Sequence, residues 1–157
     1  MNIVTAVDIQ EAVIALLAAS PALQSPVGQP PLFDGVILDD DPTTCQANQA
    51  VIALHLLAES DKEATTGGRA AGTRRYISHF AALVYVGEAD RSSFAKRRLA
   101  TLTRLLREAL EQHSFDPSGQ QMWDGMKFKQ PTTLYQKGGG FRRATTFVDF
   151  SSRIRTS

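Results

Sequence analysis

Arg75-Tyr76-Ile77-Ser78-His79-Phe80-Ala81-Ala82-Leu83-Val84-Tyr85-Val86-Gly87 is the stretch whose reading decides the fold. Tyr76, Phe80, Val84 and Val86 share one parity, and Ile77, Leu83 and Tyr85 share the other, so a strand here is apolar on both faces and belongs inside a sheet. Beyond Gly87, Asp90 is a candidate helix cap. Ala95, Leu99, Leu102, Leu106 and Ala109 then recur at helical spacing, with Lys96, Arg97, Arg104, Arg107 and Glu108 on the opposite face. The run from Arg75 to His113 therefore predicts a buried strand with an amphipathic helix packed on it.

The 157 residues suit a single domain, 1–157, burying about 70% of its unfolded surface. Hydrophobic residues at 43% and charged residues at 21% exclude global disorder. No apolar run reaches the roughly 20 residues needed to cross a bilayer, and no basic segment precedes the first apolar stretch, so a soluble chain without an export signal is expected. One cysteine, Cys45, forms no intramolecular disulfide, which fits synthesis in a reducing cytoplasm.

The net charge of +1 hides a division. Before Lys62 there are eight acidic residues and no Lys or Arg, a formal −8; the remainder holds all 17 basic residues and the other eight acidic ones, a formal +9. Three accounts fit: a nucleic-acid surface in the second half, head-to-tail contact between copies, or neutralisation within one fold.

Elsewhere, Thr5 and Asp8 have capping-box spacing ahead of Ile9, Val13, Leu16 and Leu17, which predicts a helix ended by Ser20-Pro21. Four prolines and Gly28 between Ser20 and Phe33 predict a loop. Gly35–Leu38 reads as a short strand stopped by Asp39, Asp40, Asp41 and Pro42. Gln49–Ala58 reads as a strand, and Glu59–Arg74, rich in Gly, Thr and charge, as a long mobile hairpin loop. Ser114–Gly140 reads as irregular, anchored by Trp123, Met126, Phe128 and Tyr135, with a short strand near Met126–Lys129; Arg143–Arg155 is a closing strand. The sum is an α+β chain: an antiparallel or mixed sheet of about four strands carrying two main helices.

Motifs for chemistry are few. Gly67–Gly72 has the outer glycines of a phosphate loop, but Thr73-Arg74 stands where the phosphate-binding lysine belongs. Gly138-Gly139-Gly140, beside Lys137, Arg142 and Arg143, offers amides and charge to a phosphate backbone, or a basic loop to a protein. His55 and His79 face each other if their strands pair around Gly67, without a third ligand at telling spacing. The three aspartates lack the spacing of a calcium loop. Ser92 and Ser93 have no nucleophile-elbow context, and no nucleophile, base and orienter show recognisable spacing. Lys96-Arg97-Arg98 suits a DNA groove or the solvated face of a packed helix. No catalysis, cofactor or metal is expected.

The order of an N-terminal helix, Leu32-Phe33-Asp34-Gly35 before a short strand, a long hairpin into Tyr76–Val86, an amphipathic helix and a closing strand (Thr146–Phe150) resembles the tail terminator proteins of long-tailed bacteriophages, also called minor tail or tail completion proteins. The resemblance implies a structural virion protein, not an enzyme, that forms a homohexameric ring. Such a ring caps the tail tube and joins it to the head-completion or connector proteins, with phage DNA close to its lumen and no membrane contact. It is made in the host bacterial cytoplasm and resides in the virion. The expected contact residues are Arg69, Arg74, Arg75, Lys137, Arg142 and Arg143, with Asp39, Asp40 and Asp41 as acidic counterparts. A head-tail adaptor of similar fold is the alternative within the same class; a nucleic-acid-binding module and a small hydrolase are the alternatives outside it.

Overall fold

The computed structural model describes residues 4–24, 37–38, 50–62, 73–87 and 92–155. In chain order the elements are α1 (Ala6–Ala18), α2 (Pro21–Gln24), β1 (Ile37–Leu38), β2 (Ala50–Lys62), β3 (Thr73–Gly87), α3 (Ser92–Gln112), β4 (Gly125–Gly138) and β5 (Phe141–Arg155). They build one five-stranded sheet in the order β1-β2-β3-β5-β4. β1 runs parallel to β2 and every other pairing is antiparallel. The sheet is mixed and the fold is α+β, with the predicted central strand at its centre.

β3 is buried on both faces, as its two apolar parities require. Phe80, Ala82, Val84 and Val86 point to the helices and join Ile52 and Leu54 of β2, Val148 and Phe150 of β5, Ile9, Val13 and Leu17 of α1, and Leu99, Leu102 and Leu106 of α3. Ala81, Leu83 and Tyr85 form a second cluster on the other face with Val51, Ala53, Phe141 and Phe147. All five α3 residues read as its inner stripe are buried. On its outer side Arg104 pairs with Glu108 at 3.0 Å and Arg107 with Glu111 at 3.2 Å, one helical turn apart.

Three expectations need correction. The sheet has five strands and not four, because most of the segment read as irregular, Gly125–Gly138, is a full edge strand. Its lysines and Pro131 hid it. Proline lacks a ladder donor and belongs on an edge, and here it sits where the pairing with β5 slips between Phe128 and Thr133. The segment read as a loop from Ser20 opens with α2, whose Pro21 holds the first helical position. Glu59–Lys62 and Thr73–Arg74, read as hairpin loop, are strand. Residues 63–72, with Arg69 and the Gly67–Gly72 motif, lie outside the described residues, as do Asp39, Asp40, Asp41 and Asp90.

α1 begins where the capping box predicts. The Thr5 amide donates to Asp8 Oδ2 at 2.8 Å and the Asp8 amide to Thr5 Oγ1 at 3.3 Å. Hydrogen bonds from the Thr5 backbone, then from its side chain, hold the Asp8 carboxyl below its usual range. Because the folded-state value is depressed, this stabilisation is present above the ordinary carboxylate pKa of 3.8 and is lost as the pH falls through the lower folded value. Asp8→Asn is expected to melt below the wild type at pH 7, with the gap closing in acid below pH 3.8. Thr5→Ala should cost about 1 kcal/mol at pH 7. Thermal melts across pH check both; a gap that stays constant into acid would rule out the carboxylate as its source.

A bulge in β2 sets the next level of organisation. The pairing with β3 passes from Leu56↔Phe80 to Ala58↔His79, so Leu57 is the extra residue and is 50% exposed. One extra residue exchanges the two faces of the strand beyond it. Glu59 thereby turns to the helix side, where its Oε1 accepts the Ala6 amide at 3.1 Å and puts a carboxylate at the N-terminus of α1. Ser60 turns to the helix-free side, beside His79.

Candidate assembly surface

The basic residues at the end of the β4–β5 hairpin do not form one patch. Strand alternation puts Lys137 and Arg142 on the helix side, paired across the ladder, and Arg143 on the other. The Arg143 guanidinium lies 5.9 Å from the Tyr85 ring and donates to Gln136 Oε1. Lys137 and Arg142 instead line a groove of about 340 Å³ with Tyr135 and Gln136 of β4 and with Lys96, Leu99 and Ala100 from the start of α3. Leu99 is buried, Tyr135 is 61% exposed, and no carboxylate is among the lining residues. The groove thus offers apolar carbon under three cations.

Of the other expected contact residues, Arg75 is exposed and already pairs with Asp124 at 3.2 Å. Arg74 lies one position before it on β3, and nothing is described of its side chain. On α3, Lys96 and Arg97 are exposed but Arg98 is buried, so the three do not present a single face to a DNA groove.

On the helix-free face the structure assembles a polar line that sequence spacing did not reveal. The Ser60 hydroxyl is 2.8 Å from His79 Nε2, and His79 Nδ1 is 2.7 Å from Asp149 Oδ1. Lys129 Nζ reaches His79 Nδ1 at 3.0 Å and Asp149 Oδ1 at 3.5 Å. Ammonium only donates, so Nδ1 cannot give a proton to the carboxylate and also accept from Lys129. The carboxylate takes the Nδ1 proton and holds the ammonium, which leaves Nε2 of the neutral ring to accept from Ser60. His79 and Asp149 are cross-strand partners, and the β2 bulge supplies Ser60. The expected opposition of His55 and His79 does not occur: His55 pairs with Ala81 and His79 with Ala58. Among the described residues no three His, Cys, Asp or Glu side chains cluster as metal ligands.

Serine, histidine and aspartate in this order and at these distances match a nucleophile, base and orienter, which corrects the expectation that no such set assembles. Acyl transfer also needs donors aimed at the developing oxyanion and exclusion of water. All three residues stand on paired strands, whose backbone N–H groups point along the sheet and not over it. Ser60 is exposed. The line therefore acts as a cross-strand clasp. Incubation with a fluorophosphonate probe and with activated esters is expected to give no labelling or turnover that Ser60→Ala removes; labelling confined to Ser60 would make this an enzyme site.

No protein-family model matches the chain, and no curated protein matches it significantly. The fold has a solved counterpart. It is a chain in the structure of the virion of a native gene transfer agent (GTA) particle, 18% identical, with 94% of this chain covering 95% of that one at a TM-score of 0.51. At that identity the likeness is one of fold, and it extends over nearly the whole of both chains. Among the described residues, no helix is long and apolar enough to cross a membrane.

Proposed function

We propose that this protein is a structural subunit of a phage-like virion, a tail terminator that closes the end of the tail tube as a homohexameric ring and meets the head-completion proteins on its other side. The observation that carries the reading is the near full-length likeness of fold to a chain of a gene transfer agent virion. The element order that resembles tail terminators supports it independently. So does the charge division, because an acidic first part and a basic second part suit a heterologous subunit contact. Burial of Arg98 speaks against the α3 basic run as a DNA-reading element.

The test is assembly. Purified protein, alone and with tail tubes, is expected to give discrete rings of six by native mass spectrometry and electron microscopy. Raising the salt concentration should shift the population towards monomer. A monomer at every concentration, free and with tubes, would sink the ring. Salt-dependent binding to DNA without any binding to tubes would favour a nucleic-acid-binding module instead.

A further inference from the structure

We infer that the groove between the start of α3 and the β4–β5 hairpin receives the outer face of α1 from a second copy of this chain. The inference rests on the ring reading and names the contact that would close it.

α1 is apolar on more than the face it buries. Ile9, Val13 and Leu17 point into the core, but Val7 is 51% exposed, Ala15 is exposed, and Ile14 and Ala18 are only half-buried. Val7, Glu11, Ile14, Ala15 and Ala18 follow the spacing of a single helical stripe, about 17 Å long at 1.5 Å per residue. An outer helix face in water is ordinarily polar. This one carries a single exposed charge, Glu11, set among apolar side chains.

The groove is its complement. Its apolar surface comes from Leu99, Ala100 and the ring of Tyr135, and its charge from Lys96, Lys137 and Arg142. A helix laid in such a groove places apolar anchors at i, i+4 and i+7. Val7 and Ile14 would lie on the apolar surface, and Glu11, between them, among the three cations.

The topology makes the contact intermolecular. α1 packs on β2 and β1 at one end of the sheet, whereas the groove is built on β4, the strand at the other end. From β2 to β4 is three strand spacings, about 14 Å, and α3 lies over β3 and β5 between them. A subunit cannot place its own α1 stripe in its own groove. Donor and acceptor surfaces on opposite ends of one subunit make a heterologous contact, the kind that repeats around a ring.

The test reverses the charges. Lys96→Glu combined with Lys137→Glu, and separately Glu11→Lys, alter exposed side chains, so circular dichroism and Trp123 fluorescence should match the wild type. Each variant is expected to associate at least tenfold more weakly by sedimentation velocity. All three substitutions in one chain should restore much of the loss, because both sides of the contact then carry exchanged charge. In a Cys45→Ser background, Val7→Cys with Tyr135→Cys should give disulfide-linked ladders on mild oxidation, and either cysteine alone should not. Rings that form normally from the charge-reversed variants and yield no ladder would overturn this contact and leave the ring reading standing. A wild type that never assembles, with or without tail tubes, would remove the ring reading and this contact with it.

Discussion

Phe150→Ala is expected to destabilise the protein by about 3–5 kcal/mol, the range for deleting a fully buried aromatic side chain. Phe150 is 1% exposed and packs edge-on against two other rings, Phe80 at 5.7 Å and Trp123 at 5.3 Å between centroids. It connects the central strand to the segment that leads into the edge strand. Removing it forfeits apolar burial and both ring contacts, and it leaves a cavity that Phe80 and Trp123, on separate elements, cannot both move to fill. For a chain of this size each kcal/mol lowers Tm by roughly 2–4 °C, so a loss on the order of 10 °C is expected. Trp123 is the sole tryptophan, and its fluorescence should redden as its packing loosens. A cost below about 1 kcal/mol would mean that Phe150 does not join the two ends of the core.

Leu83→Asp should be more severe, although Leu83 lies on the face that carries no helix. It is 4% exposed and belongs to the cluster with Val51, Ala53, Ala81 and Tyr85. A carboxylate there is buried without a partner, which places the substitution in the class that exceeds about 4 kcal/mol. With total stabilities of about 5–15 kcal/mol, most of the variant is expected to be unfolded or insoluble. Leu57→Asp is the control. It makes the same chemical change on a neighbouring strand, at the half-exposed bulge residue, and should stay within roughly 0.5 kcal/mol of the wild type. Soluble expression, circular dichroism and urea titration of the pair give the answer. Equal stability of the two variants would show that the second face of β3 is open to water.

The candidate site was legible only in part. Lys137 and Arg142 were singled out by sequence and do line the groove, whereas Arg143, next to Arg142, turns to the opposite face and Arg75 is occupied by Asp124. Clustering along the chain does not carry over to clustering in space on a strand, because neighbours alternate sides. Lys96, Leu99 and Ala100 had no signal of belonging with the hairpin. They meet it because α3 packs over β5, a contact between distant parts of the chain.

The elements whose periodicity is strong and local were determined by sequence alone. β3 is apolar in both parities and must be buried on both faces, α3 repeats its leucines at helical spacing, and α1 carries its own cap in Thr5 and Asp8. Each of these follows from interactions within a few residues or from a pattern no other structure can bury. Only the tertiary structure decided where partners meet. β4 is a strand because β5 offers a ladder to its polar, proline-interrupted sequence. The single bulge residue Leu57 was also beyond sequence, and it turns Glu59 towards the N-terminus of α1 and Ser60 towards His79. A shift of one residue in register exchanges the faces of a strand, and its cost is set by what lies across the sheet and not by the residues of the strand itself.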